Sequence, residues 1–421
     1  MMFMSSAMAF IIRDAETEDF FKSSNAPLLK AMGEKGKDIQ LYLVKDSTFN
    51  AHVSGGKNVF YMSGLIIKVQ NLEQFLAVSA HELAHISNND LDNLGQALKK
   101  ANAIQMSSLV LGVLGGVLSK NADVSAGTLG LGGTLSTRGL LADIRTNEIA
   151  ADITGFNMLE KAKINSKGQI DVAKIMLDKS GYSSTESIYE STHPASEERL
   201  EFAQKRWEKS AYKDAVLPQS QQQLFYRIQA KLFGYVSAED KVLQKYPLTD
   251  TSDTARYARA MFYLANNKSI LAVEEMKRLV EKYPQDAYYW ESYSHVLFDS
   301  GKITEAIDAI KKALKLYPKA GLMWIQYAQY LITKGGQNNL KEAEYALFKA
   351  KVSESKEALL YRMFTSLYSQ TGEEGKRLLA RAEEALLYDK GKAARIAKQA
   401  QKKLKKGTPE YISAGDIINI M

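Results

Sequence analysis

The chain has 421 residues, enough for two or three domains, and 45% of them are apolar, enough for real cores. It has no cysteine, which excludes disulfides and thiolate metal sites, so any zinc must be held by histidine and carboxylate. The formal net charge of +7 is modest for this length and gives no case for nucleic acid as a partner.

Residues 1–9, MMFMSSAMA, are small and apolar and end Ala7-Met8-Ala9. They read as the tail of a truncated secretory signal, with maturation after Ala9, or as no signal at all, since the basic opening is missing. Residues 13–35 predict a helix with acids in its early turns, where the helix dipole favours them. Residues 39–46, IQLYLVKD, alternate as a strand does. Residues 50–66 predict a hairpin turning at Ser54-Gly55-Gly56-Lys57. Its outer strand is either the edge of a small sheet or a place where an extended peptide adds by backbone pairing. His52 lies on it with no assigned chemistry. Asn71 is set to cap the next helix, with Gln74 in position for a capping box.

That helix carries His81-Glu82-Leu83-Ala84-His85. Histidines four apart on a helix point to the same side and can share one metal ion. A zinc hydrolase needs two such nitrogens, a third protein ligand, an open position for water and a carboxylate to take the proton of that water. Glu82 is that carboxylate. The plain alternative is an amphipathic helix with His and Glu on its polar edge. A chance match is rare in a chain with five histidines. Zinc is preferred over iron because iron oxygenases use a different triad.

A polar continuation leads to Met106–Leu118, which is apolar and glycine-rich but short for a membrane span of about 20 residues. A buried helical hairpin and a lid or peripheral membrane contact both fit it. Residues 127–133, GTLGLGG, read as a connection, since no phosphate-loop lysine follows. Glu148 and Asp152 then form E-x-x-A-D on a predicted helix. Glu148 can supply the third zinc ligand. Asp152, one turn on, can accept a hydrogen bond from the far nitrogen of a ligand histidine. His193 precedes Pro194, and Arg199 follows six residues later. His193 can reach the open metal position or the transition state, with Arg199 stabilising oxyanion charge. A simple helix cap is the alternative for His193.

From about residue 250 the pattern becomes helix pairs. Pro284 and Pro318, Trp290 and Trp324, Tyr293 and Tyr327, Gly301 and Gly335, and Ala272 and Ala306 are each 34 apart. That is the tetratricopeptide period, with three clear repeats and degenerate helices to about residue 406. The tryptophans are expected to pack between helices and His295 to be structural. Lys390–Lys406 holds eight Lys or Arg and no acid, and reads as a solvated helix face; binding to nucleic acid or anionic lipid is the alternative, which no aromatic interleaving or recognised module supports. The last residues, from GTPEYISAGDII, are expected to fold back as a terminal helix.

Taken together, HELAH, EIAAD and HPASEER resemble the metalloprotease family that includes the HtpX heat-shock protease and the CAAX prenyl protease. IRDAETEDF, the hairpin NAHVSGGKNVFYMSGLI and the helical tail resemble its soluble periplasmic branch. The resemblance implies one zinc ion per chain on His81, His85 and Glu148, Glu82 as general base and Asp152 behind a ligand. It implies that His193 can take the fourth zinc position and hold the enzyme inactive, with Arg199 its partner. It also implies a periplasmic protease and chaperone-like factor in outer-membrane protein assembly. Its substrates would be misfolded or stalled outer-membrane proteins, and its repeats would bind the assembly machinery.

The expected fold is an α+β zincin-type metalloprotease domain, mostly helical with a small edge-strand sheet, followed by an all-α tetratricopeptide solenoid. The expected boundaries are 1–9 for the signal segment, 10–212 for the protease domain, 213–250 for a connector and 251–421 for the repeats. The rival function is a scaffold acting through the repeats with a latent metal site. An integral membrane protease using 106–118 is a third.

Overall fold

The structure is a computed structural model that describes residues 3–4, 11–90, 135–178, 193 and 196–420. Residues 106–118 and 127–133, and the first ten residues apart from 3–4, lie outside the described residues. The chain divides into two compact units, residues 17–229 and residues 1–16 together with 230–421. The division falls at Gln229 and Ala230, inside one helix. The first residues group with the repeats rather than with the 10–212 segment.

In the unit 17–229, helix α1 (Ala15–Ala31) is followed by β3 (Gln40–Val44), β4 (Ala51–Ser54) and β5 (Asn58–Met62), after β1 (Phe3–Met4) and β2 (Ile11–Arg13) of the other unit. Strand β5 pairs in parallel with β3, Leu41 opposite Val59, and antiparallel with β4, His52 opposite Phe60. Val59, Phe60, Tyr61 and Met62 are all buried, as a strand covered on both faces requires. Strand β4 is last in the order, an edge among the described residues. The β4–β5 turn holds Gly55 at φ 58° and Gly56 at φ 83°. A tight hairpin needs positive φ at both positions, and glycine adopts it without strain.

After α2 (Ser63–Lys68) comes α3 (Leu72–Asn88), the helix of the H-E-x-x-H motif. Asn71 caps it, accepting from the Gln74 N–H at 2.9 Å. The Gln74 side chain accepts from the Gln70 N–H at 2.8 Å, one residue before the reciprocal bond of a capping box. Nearly all of α3 is buried. Tyr61, Phe21, Phe75 and Phe225 pack in one aromatic cluster, with Phe21–Tyr61 centroids 4.9 Å apart. Helices α4 (Leu135–Lys161), α5 (Lys167–Leu177) and α6 (Glu197–Glu208) complete the site region. A Cβ on Gly155 of α4 would come within 3.1 Å of the Ala80 carbonyl oxygen. One on Gly168 of α5 would meet the Glu73 carbonyl at 2.3 Å. These glycines let both helices sit directly on α3.

The other unit takes up the end of α7 (Gln219–Val236) from Ala230, then α8 (Glu239–Lys245) and a run of helix pairs. These are α9 (Asp253–Ala265) with α10 (Ser269–Lys282), α11 (Ala287–Asp299) with α12 (Ile303–Leu316), and α13 (Gly321–Lys334) with α14 (Gln337–Glu354). Then come α15 (Ala358–Thr371) with α16 (Glu374–Leu386), and α17 (Lys390–Gln401) with α18 (Pro409–Asn419). The 34-residue period appears as repeated contacts. Trp290 donates its indole N–H to the Pro284 carbonyl and Trp324 to the Pro318 carbonyl, both at 2.9 Å. Each indole is half-buried against the repeat core. Ala272 and Ala306 are fully buried. Helix α18 folds back on α16 and α17, as expected of the last residues.

The N-terminal residues are tied in by charge. Lys231 Nζ lies 2.6 Å from Asp14 and 3.0 Å from Glu16, and Tyr257 donates to Glu16 at 2.7 Å. Arg13 pairs with Glu354 at 2.8 Å and Glu357 at 2.5 Å. No helix among the described residues is long and apolar enough to cross a membrane.

Candidate metal centre

Helix α3 fixes His81 and His85 one turn apart, and their Nε2 atoms face each other at 3.2 Å. Helix α4, held close by Gly155, brings Glu148 to the same point. Its Oε2 lies 3.2 Å from His81 Nε2 and its Oε1 3.5 Å from His85 Nε2. His193 closes the set, with Nδ1 3.2 Å from His81 Nε2 and 3.1 Å from Glu148 Oε1. All four residues are buried or nearly so.

This donor set fits a zinc ion. Four-coordinate zinc with bonds of about 2.0–2.1 Å has donor–donor edges of about 3.3 Å. The separations here run from 3.1 to 3.5 Å. One oxygen or nitrogen from each of the four residues lies within 4.8 Å of the others, as shared coordination requires.

A second observation points the same way. Glu82 is fully buried, and neither carboxylate oxygen has a hydrogen-bond partner among the described residues. The nearest imidazole nitrogen, His193 Nε2, is 3.6 Å from Oε1. A buried carboxylate with nothing to accept from is costly unless the site normally presents it with a proton donor.

The outer contacts fix the tautomers. His81 Nδ1 donates to Asp152 Oδ1 at 3.0 Å, so its Nε2 presents a lone pair to the centre. Asp152 is gripped in turn by Arg199, through Nε at 2.6 Å and Nη2 at 2.9 Å. Arg199 Nη1 also lies 3.2 Å from Glu148. The guanidinium is thus committed to two carboxylates of the site. His85 has its own orienter, Asp90, at 2.7 Å from Nδ1. Asp90 is missed by the sequence reading. Its signal is an acid five residues after the second histidine, just past Asn89, which ends α3 in the left-handed region at φ 59°.

The electrostatics favour positive charge at the centre. Burial alone would pull the His81 imidazole down; Glu148 and Asp152 outweigh it and hold it at about 10. Burial would raise Asp152, but His81 and Arg199 bring it to about 2. Burial likewise opposes the His193 and His81 contacts that hold Glu148 well below the ordinary carboxylate range. A proton or a metal ion answers that field.

His52 stacks on Phe60, with centroids 5.0 Å apart, and its Nδ1 is buried with no hydrogen-bond partner among the described residues. Burial pulls its pKa down against the charge of Glu82. A groove of about 360 Å³ opens against His85, lined by Lys35, Gly56, Lys57 and Ile86.

Residues 17–207 match the model of peptidase family M48, and residues 257–321 and 294–352 match that of the tetratricopeptide repeat. The chain therefore carries a peptidase family M48 domain followed by tetratricopeptide repeats. It is similar to the beta-barrel assembly-enhancing protease of Escherichia coli (strain K12), at 24% identity over 306 residues, which cover 70% of this chain and 61% of that protein. It is similar also to that of Yersinia pestis, at 26% identity over 275 residues, covering 63% of this chain and 55% of that protein. The chain thus spans less than two thirds of the length of these curated relatives.

Proposed function

We propose that this protein is a zinc-dependent endopeptidase with His81, His85 and Glu148 as metal ligands and Glu82 as general base. The observation that carries the reading is the partnerless, buried Glu82 carboxylate beside a donor set of tetrahedral dimensions. The chemistry zinc supplies when bound is Lewis acidity and a nucleophile made from water at neutral pH. Glu82 takes the proton of that water and passes it to the leaving amine. Asp152 and Asp90 keep the two histidines in the tautomer that binds. Arg199 holds Asp152 and Glu148 in place, and with His193 is near enough to support oxyanion charge. Strand β4, an edge among the described residues, is where an extended substrate would add by backbone pairing.

His193 is the resting fourth ligand. Its Nδ1 takes the remaining corner of the donor set, so it must leave before water and substrate can enter. The names of the relatives support a role in β-barrel assembly; work in the periplasm on misfolded or stalled outer-membrane proteins is our extension of it. The repeats would bind the assembly machinery. The rival reading, a scaffold with a latent metal site, draws on the same closed corner.

Metal content and casein cleavage of the purified chain, beside His193→Ala and Glu82→Gln, test this. Bound zinc with little cleavage, rising in His193→Ala and abolished in Glu82→Gln, supports a self-inhibited protease. Zinc with no cleavage in either the parent or His193→Ala favours the scaffold. No bound metal under metal-replete conditions overturns both the enzyme and the latent site.

A further inference from the structure

The run Lys390–Lys406 carries eight basic residues and no acid, more than the chain's net charge of +7. The rest of the chain is therefore slightly acidic as a whole, and this run is a concentrated patch. Its helix, α17, is held in one orientation. Ala393, Ala397 and Ala400 are fully buried against Leu378, Leu379 and Ile417. Lys392, Arg395, Lys398 and Lys402 recur every three or four residues on the opposite face, all exposed. Lys403, Lys405 and Lys406 follow in an exposed turn after the helix C-terminus, where the dipole favours cations.

None of the eight makes an ion pair among the described residues. Glu374, whose charge reaches Lys403, is itself paired with Arg377 at 2.7 Å. Like charges one turn apart on a helix repel by about 0.2–0.5 kcal/mol per pair. The fold thus holds an uncompensated cationic face outward on a packed platform.

We propose that the basic face of α17 and the turn after it dock the protein on an anionic membrane surface through the phosphates of lipid headgroups. The side-chain chemistry selects this partner. Seven of the eight cations are lysine, a point charge suited to laterally mobile headgroups. Protein interfaces are depleted in lysine and enriched in arginine and aromatic residues. Single-stranded nucleic acid asks for aromatic residues interleaved with the cations, and the run has none. Tyr388, just before α17, and Ile412, on α18, are 50% and 56% exposed. The inference is independent of the protease reading, since no residue of the metal centre enters it.

The test is cosedimentation of the full chain with vesicles of phosphatidylcholine alone and of phosphatidylcholine mixed with phosphatidylglycerol. The mixed vesicles should capture it at low salt, release it at high salt, and the neutral ones should not bind it. Combining Arg395→Gln, Lys398→Gln and Lys402→Gln should weaken partitioning by on the order of a hundredfold. A charge-matched control, Lys315→Gln with Lys319→Gln and Lys341→Gln, should retain it. Equal loss in both triple variants overturns the proposal, because net charge alone would then be at work. So does parent binding that ignores phosphatidylglycerol or survives high salt, a readout that needs no variant to fold. Capture by polyglutamate or duplex DNA with no vesicle binding also overturns it, in favour of a macromolecular partner.

Discussion

Each unit buries a cluster of charged side chains, and the two clusters are built to opposite ends. In the repeat-bearing unit, Lys231 sits between Asp14 and Glu16, and Tyr257 bonds both Glu16 and Ser292. Cation, carboxylates and hydroxyls answer one another, and the cluster stitches the first residues to the repeats. In the M48 unit, three imidazoles and Glu148 aim at one shared point, while Glu82 keeps two buried oxygens without a partner. The first cluster carries its own cation between its carboxylates; the second gathers ligand atoms around a point where a cation can sit.

The sharpest way to break this contrast is at the open carboxylate. Glu82→Gln should lower peptide cleavage by on the order of a thousandfold while zinc content stays at the parent value. Loss of zinc instead would make Glu82 part of the metal-holding set. At the closed cluster, Lys231→Met should destabilise the full chain by about 3–5 kcal/mol in denaturant unfolding, because two buried carboxylates lose their cation. A variant as stable as the parent would remove the stitching role. Asp90→Asn should weaken zinc binding about ten- to a hundredfold in a competition titration with a chelator, without unfolding the chain. An unchanged affinity would show that Asp90 does not set the His85 tautomer.

The smallest effect is a pH slope. Burial, aided by the Lys231 charge, lowers the His295 pKa to about 3. The unfolded chain, with an ordinary histidine near 6.5, then binds one proton more than the folded chain between those values. Stability is therefore present above about pH 6.5 and falls toward pH 3, by at most about 1.4 kcal/mol per pH unit. The Asp14 charge works against the shift and flattens the slope. His295→Gln should be flatter still in an acid titration followed by circular dichroism.

The sequence by itself determined what is local or periodic. Spacing of four on one helix brought His81 and His85 together, and Asn71 and Gly55-Gly56 set the cap and the turn that precede them. The 34-residue period marked both Trp–Pro contacts, because each repeat buries the same face against the next. The tertiary structure decided what depends on distant chain segments meeting. It put Asp90 behind His85 through a left-handed helix end, committed Arg199 to Asp152 and Glu148, and brought His193 to the fourth corner of the donor set. It grouped residues 1–16 with the repeats, because Asp14 and Glu16 find their cation at Lys231. It also showed that the lysines of 390–406 make no ion pair among the described residues. Composition records the charge of that run, but only the packing of its alanine face fixes where the charge must point.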